Sequence, residues 1–217
     1  MNRIFDISMP LSADTPVWPG GERFKLSPVK NMRDHGVNES SICLNVHTGT
    51  HLDAPYHFFE SGKRAGDIPL EIMVGIAVVI EYHGKSHITP DFLETVRFPA
   101  GCTKILFKTR NSSVATRLFT KDFTAVSAEA AEWIVQKGIR LVGIDYLSIQ
   151  PIDEPDNRTH KLLLNNNVAI LEGLCLKDVI PGVYTLVALP LKISDAEGVP
   201  VRAILIADDG GQTAVKE

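Results

Sequence analysis

The chain is poor in what several functional classes require. It holds three cysteines in 217 residues, and Cys43, Cys102 and Cys175 stand far apart with no C-x-x-C pair. That spacing speaks against a disulfide framework or a thiolate zinc site and suits reduced thiols. A basic excess is absent too: 22 Lys and Arg against 26 Asp and Glu leave a formal charge of -4. No cationic surface is therefore expected for a nucleic-acid backbone. No apolar run approaches the roughly 20 residues of a membrane span. The opening MNRIFDISMPLSADTP lacks an apolar core of signal-peptide length. Repeats, charge blocks and low-complexity linkers are also missing, so residues 1–217 are expected to form one domain, in a cytoplasmic protein without nucleic-acid or membrane partners.

What is present is strand-rich. Apolar and β-branched segments recur at Gly75–Tyr82, Thr103–Thr109, Ile139–Tyr146, Val168–Gly173, Val183–Ile193 and Val201–Ala207, and they read as buried strands. Helices are few. Ser127–Lys137 has a capping Ser and a terminal Gly138, Thr89 is followed by Pro90 at a first helical position, and a short helix is expected from about Asn157–Thr159 into the Asn165–Asn167 run. The mixture predicts an α/β domain, a strand-rich mixed sheet with few helices and both faces at least partly covered.

One stretch is crowded with chemistry. VHTGTHLDAPYHFF, Val46–Phe59, contains His47, His51, Asp53 and His57 with Gly49 and Pro55 between them. The four positions are all odd and would share one face of a strand, yet at ~3.3 Å per residue a straight strand spreads them too far to meet at one ion. The chain must curl. Gly49 and Pro55 supply the means, while Thr48, Gly49 and Thr50 argue against a helix. The expectation is a strand that ends near His47 and passes into a tight ligand loop. Imidazoles with a carboxylate suit zinc, iron or manganese better than calcium or magnesium. Three donors leave such an ion undersaturated, and the chain offers His160 in DNRTHKLLL and Glu172 in VAILEGL.

With these residues in view, the sequence resembles the cyclase family of metal-dependent hydrolases, which includes bacterial kynurenine formamidase and isatin hydrolase. The resemblance lies in HTGTHLDAPYHFF at His47–Phe59, GIDYLSIQP at Gly143–Pro151, and the segment from His160 to Ile193. It implies a swivelling β/β/α fold, usually dimeric or tetrameric. It also implies a two-metal site filled by Zn2+ or Mn2+. In that pattern His47, His51 and Asp53 hold one ion, Asp53 and Glu172 bridge to a second bound also by His160, and His57 is the catalytic acid/base. Trp18 in PVWPGG matches an aromatic residue that lines the substrate pocket.

The implied reaction is hydrolysis of an amide or cyclic amide C–N bond, with metal-activated water as nucleophile. His57 shuttles the proton, and Tyr56, Phe58 and Phe59 beside it offer an apolar wall. The chain departs from the formamidase pattern at Gly21, where W-P-G-D is usual, and at Thr50 and Leu52, where G-A-H-A-D is usual. Two other readings use the same donors. His51, Asp53 and His160 fit the facial triad of a mononuclear non-haem Fe(II) oxygenase, and the whole cluster fits a non-catalytic metal-binding protein. Asp145 and Ser148 are expected near a strand end, as candidates for hydrogen bonds to the ligands.

Overall fold

A computed structural model describes residues 3–113 and 119–207 of the chain. Ten strands are assigned among them: β1 (Arg3–Asp6), β2 (Lys25–Lys30), β3 (Glu39–Cys43), β4 (His51–Asp53), β5 (Val74–Glu81), β6 (Lys104–Lys108), β7 (Leu141–Ile144), β8 (Ala169–Glu172), β9 (Gly182–Pro190) and β10 (Gly198–Ala207). Five α-helices accompany them: α1 (Met32–His35), α2 (Leu70–Met73), α3 (Pro90–Thr95), α4 (Ala128–Gln136) and α5 (Arg158–Asn165). The six apolar segments appear as strands and the three expected helices form, with ends shifted by up to about three residues.

The sheet closes on itself. Its order is β1-β10-β4-β8-β7-β6-β5-β9, and β9 pairs back onto β10, so seven strands form a barrel with β1 appended to β10. Closure removes the edges that an open sheet would expose. Strands β5, β6, β7 and β8 run parallel. Parallel neighbours need long crossovers, and here these carry α3, α4 and α5.

The pleat then sorts the apolar residues into two cores. Leu52, Val79, Leu106, Leu171, Leu186 and Leu205 fill the barrel. Their alternates Val78, Ile105, Phe107, Val142 and Ile170 face outward and pack beneath Leu93 of α3, Ile134 of α4 and Leu163 of α5. This period-two division explains why the strand segments read as almost continuously apolar: both faces are covered.

β2 and β3 stand apart as a two-stranded hairpin whose residues are nearly all exposed. Among the described residues, no helix is long and apolar enough to cross a membrane.

Candidate metal centre and active site

The site is built on the outer face of β4 and β8. Leu52 points into the barrel, so its neighbours His51 and Asp53 both point outward, as alternation requires. Antiparallel register sets Glu172 of β8 directly opposite His51, and directly opposed side chains are in reach of one another.

Two glycines make the approach possible. Gly49 (φ +68) forms the left-handed corner ahead of β4, and Gly173 (φ +68) lies so close that a Cβ on it would meet the Gly49 carbonyl oxygen at 2.2 Å. Thr50 Oγ1 donates to the Gly173 carbonyl at 2.6 Å and locks the two corners together.

The order of strand and loop corrects the expected one. β3 ends at Cys43, His47 sits in the turn that follows, and His51 and Asp53 are on the strand rather than in a loop after it. Shared odd numbering therefore places only His51 and Asp53. His47 is delivered by the Gly49 corner, and His57 by a single 3-10 turn, Pro55–His57, that Pro55 opens. Gly198 leaves room for His47, since a Cβ there would come within 2.7 Å of its ring.

All six expected side chains converge. His47 Nδ1 is 2.7 Å from Asp53 Oδ1. His51 Nε2 lies 3.5 Å from Asp53 Oδ1 and 3.4 Å from Glu172 Oε2. His160, on the first turn of α5, places Nε2 3.1 Å from Glu172 Oε1 and 3.7 Å from Asp53 Oδ2. The His57 ring centroid is 4.2 Å from that of His47 and 6.3 Å from that of His160.

Two donor triplets result, His47–His51–Asp53 and Asp53–His160–Glu172, each with ligand atoms within 4.8 Å of one another. Asp53 belongs to both.

The donor set fits a divalent metal. With bonds of ~2.1 Å, two ligands on one ion stand about 3.0 Å apart at a right angle and about 3.4 Å apart in a tetrahedron. The distances above bracket those values. Nε2 of His51 is buried between the Asp53 and Glu172 carboxylates without a hydrogen-bond partner, a costly state for a polar atom unless something else receives the lone pair. Hydrogen bonds on the other ring nitrogens aim two of the imidazoles inward. His51 Nδ1 donates to the Gly49 carbonyl at 2.9 Å, and His160 Nδ1 to Gln150 Oε1 at 2.8 Å.

Electrostatics among these side chains follow from the crowding. Burial alone would lower the His51 pKa, but the Glu172 carboxylate 3.4 Å from its Nε2 and the Asp53 charge raise it to about 9. His160 is raised against its burial in the same way. Burial pushes Asp53 up, yet the His47 hydrogen bond and the charges of His51 and His47 hold it far below the carboxylate range. Burial and the charge of Asp53 raise Glu172, and the hydrogen bond from His160 together with the His51 ring alongside more than offset them. His57 differs: burial lowers it even though the Asp53 charge pulls the other way.

A cavity of about 340 Å³ opens onto the cluster, with Val17, Trp18, Phe58 and Leu147 among its apolar lining. Trp18 is held there by a turn in which Gly21 N–H donates to the Trp18 carbonyl at 2.8 Å and Gly20 has φ +85. That is the type II geometry expected of Pro19-Gly20 at its centre. The indole packs edge-on to Phe119, centroids 5.0 Å apart.

Of the three aromatic residues around His57, only Phe58 lines the cavity. Phe59 packs on the outer core, and Tyr56 lies under the Arg64 guanidinium.

Asp145 makes its hydrogen bonds elsewhere than to the candidate ligands. Its carboxylate accepts from Thr109, Ser112 and Asn111 and pins the turn after β6. Ser148 bonds locally with Gln150. Sequence reasoning missed Gln150 itself, the buried amide that holds His160, and missed the Ile149 N–H, which donates to Glu172 Oε1 at 2.7 Å. The signal lay in GIDYLSIQP, where a polar residue follows an apolar one just before Pro151.

A family model described as "Putative cyclase" matches residues 5–151. The chain belongs to the cyclase family. It is 35% identical over 201 residues to the kynurenine formamidase of Bacillus mycoides (strain KBAB4), covering 92% of this chain and 95% of that one. Among solved structures, a predicted metal-dependent hydrolase from Bacillus stearothermophilus superimposes with a TM-score of 0.84 at 35% identity, covering 95% of this chain and 98% of the other. Isatin hydrolase A from Labrenzia aggregata, bound to benzyl benzoate, matches with a TM-score of 0.82 at 25% identity, over 95% and 94%. The expected α/β fold with a strand-rich mixed sheet and few helices is thus what the chain adopts, the sheet being closed into a barrel as in cyclase-family structures.

Proposed function

We propose that this chain hydrolyses the C–N bond of a small amide or cyclic amide with the help of divalent metal, in the manner of an arylformamidase. The observation that carries the reading is the sharing of Asp53 between two largely buried triplets, with the unpartnered Nε2 of His51 between its carboxylates and a substrate-sized cavity opening onto both. Relatives named for a formamide and for isatin, a cyclic amide, point to the same bond type.

In this reading His47, His51 and Asp53 hold one ion and Asp53, His160 and Glu172 a second, zinc or manganese. Such ions supply a water acidified to near neutral pH and a Lewis acid for the carbonyl oxygen.

His57 does the proton work. Burial keeps it below the ordinary histidine value, so its ring is neutral and basic near pH 7. It takes the proton of the water as the oxygen adds to the carbonyl carbon and gives it to the nitrogen as the C–N bond breaks. Trp18, Val17, Phe58 and Leu147 form the apolar wall against which an aromatic amide lies and from which bulk water is excluded.

The oxygenase reading of His51, Asp53 and His160 leaves His47 and Glu172 idle, although both lie against that set. A closed structural site has no need of the cavity or of His57.

Three free thiols suit the cytoplasm. The projecting hairpin, with Leu26, Val29 and Ile42 each more than half exposed, suits a homodimer or homotetramer.

The test is turnover of N-formylkynurenine, isatin and simple cyclic amides by enzyme reconstituted separately with zinc and manganese. Metal-dependent release of formate or ring-opened acid is expected. Inactivity across the panel, or oxygen uptake with Fe(II), would refute the reading.

A further inference from the structure

The imidazoles that face the centre are steered from behind in different ways. The Nδ1 partner of His51 is the Gly49 carbonyl, fixed by the course of the backbone. The Nδ1 partner of His160 is the amide of Gln150, and a glutamine amide offers either a donor or an acceptor according to which way it is turned.

Asn157 sets that orientation: its Oδ1 accepts from Gln150 Nε2 at 2.9 Å, which leaves Gln150 Oε1 to accept from His160 Nδ1.

Asn157 has been diverted to this task. It stands immediately before α5, where an Asn side chain ordinarily accepts an N–H from the first turn of its own helix. Here it makes no such bond. Glu154 replaces it as the cap, accepting from Thr159 N at 2.7 Å and from Thr159 Oγ1 at 2.9 Å. Asp156 (φ 58) and Asn157 (φ 52) are both left-handed, a conformation that L-residues rarely adopt in succession. The loop is thus held in an uncommon shape that points Asn157 at Gln150 instead of at its helix.

We infer that Gln150 and Asn157 form an amide relay that fixes which nitrogen of His160 carries the proton, keeps Nε2 free toward Asp53 and Glu172, and thereby sets the affinity of one metal position and not the other. Both are positioning residues. The inference rests on the two-ion reading above.

Calorimetric and visible-absorption titration of the metal-free full chain with Co2+ alone tests it. Wild type takes up two ions. Gln150→Leu, close in volume but without an acceptor, weakens one of them about 10- to 100-fold and leaves the other at its wild-type affinity. Gln150→Glu, which keeps an acceptor toward Nδ1, and Asn157→Asp, which keeps one toward Gln150 Nε2, retain both ions. Asn157→Ala loses part of the affinity at the same position. A packing role would give the opposite order, because Leu fills this buried place at least as well as a carboxylate.

Two unchanged ions in Gln150→Leu, or equal losses in the Leu and Glu variants, would overturn the relay while the hydrolase reading stands. A wild type that takes up no cobalt would overturn both.

Discussion

The two halves of the candidate centre are assembled by different means. His47, His51 and Asp53 fall within seven positions of one another, and a glycine corner plus one strand bring them together. His160 and Glu172 arrive more than a hundred residues later, one from a crossover helix and one from a strand, and meet Asp53 only because β8 lies beside β4 in the closed barrel. The first half is a property of a segment, and the second is a property of a topology. Asp53 joins them, so perturbations at Asp53 should differ in kind from perturbations on either side.

The largest effect is therefore expected at that junction. Asp53→Ala should abolish bound divalent metal at both positions and reduce turnover below detection, because it removes a ligand from each triplet and leaves Glu172 as the one carboxylate beside two buried histidines. His160→Ala should release one ion and keep the other. Metal analysis by plasma emission separates the outcomes. An Asp53→Ala protein that still holds two ions would mean that the halves are not joined there.

Next in size is His57, which belongs to neither triplet. His57→Ala should keep full metal content and lose about 10²- to 10⁴-fold in kcat. Stopped assays beside metal analysis check this. Loss of metal together with activity would make His57 a ligand instead of the proton carrier.

The same division governs what could be read from the residues alone. The local half announced itself, since three histidines and an aspartate spaced around Gly49 and Pro55 have few other uses. His160 and Glu172 could be picked out as candidates only because a histidine near a helix start and a carboxylate ending an apolar strand look out of place. Their distance from Asp53 is set by strand order, which no periodicity encodes. The error about His47, expected to close a strand and found in the turn before one, has a related cause. The odd-number pattern fits a strand on either side of Gly49, and the contact between Gly49 and Gly173 that selects the later one lies outside the segment. Gln150 was passed over for the same reason: a polar residue before Pro151 is a faint signal, and its role depends on where α5 docks.

A pH titration sharpens the comparison, because His51 touches both halves. In the metal-free protein its pKa stands at about 9 against an ordinary 6.5, with Glu172 and Asp53 outweighing burial. A raised value means that protonated His51 stabilises the fold fully below about pH 6.5, and that this contribution fades as pH rises to about 9. At about 1.4 kcal/mol per unit the loss is on the order of 3 kcal/mol. Urea midpoints in chelator at pH 6 and pH 9.5 should fall accordingly. Metal binding requires the neutral ring, so affinity for the ion should climb over the same interval in which metal-free stability drops. A metal-free midpoint that is flat across this range would place His51 outside the carboxylate pair.

The smallest expected effect lies at the cavity mouth, away from both halves. Trp18 is 41% exposed and touches Phe119 edge-on, so under the proposed function it would offer surface to a substrate ring without contact to the reacting bond. Trp18→Ala should raise KM roughly threefold to tenfold, about 1 kcal/mol of binding, with kcat and metal content nearly unchanged. The split matters more than the size. Interactions made equally in the ground and transition states move KM alone, whereas a side chain that shapes the attack moves kcat as well. A matched fall in kcat would carry Trp18 into the chemistry, and an unchanged KM would leave the Pro19-Gly20 turn as scaffolding whose indole serves Phe119 rather than a substrate.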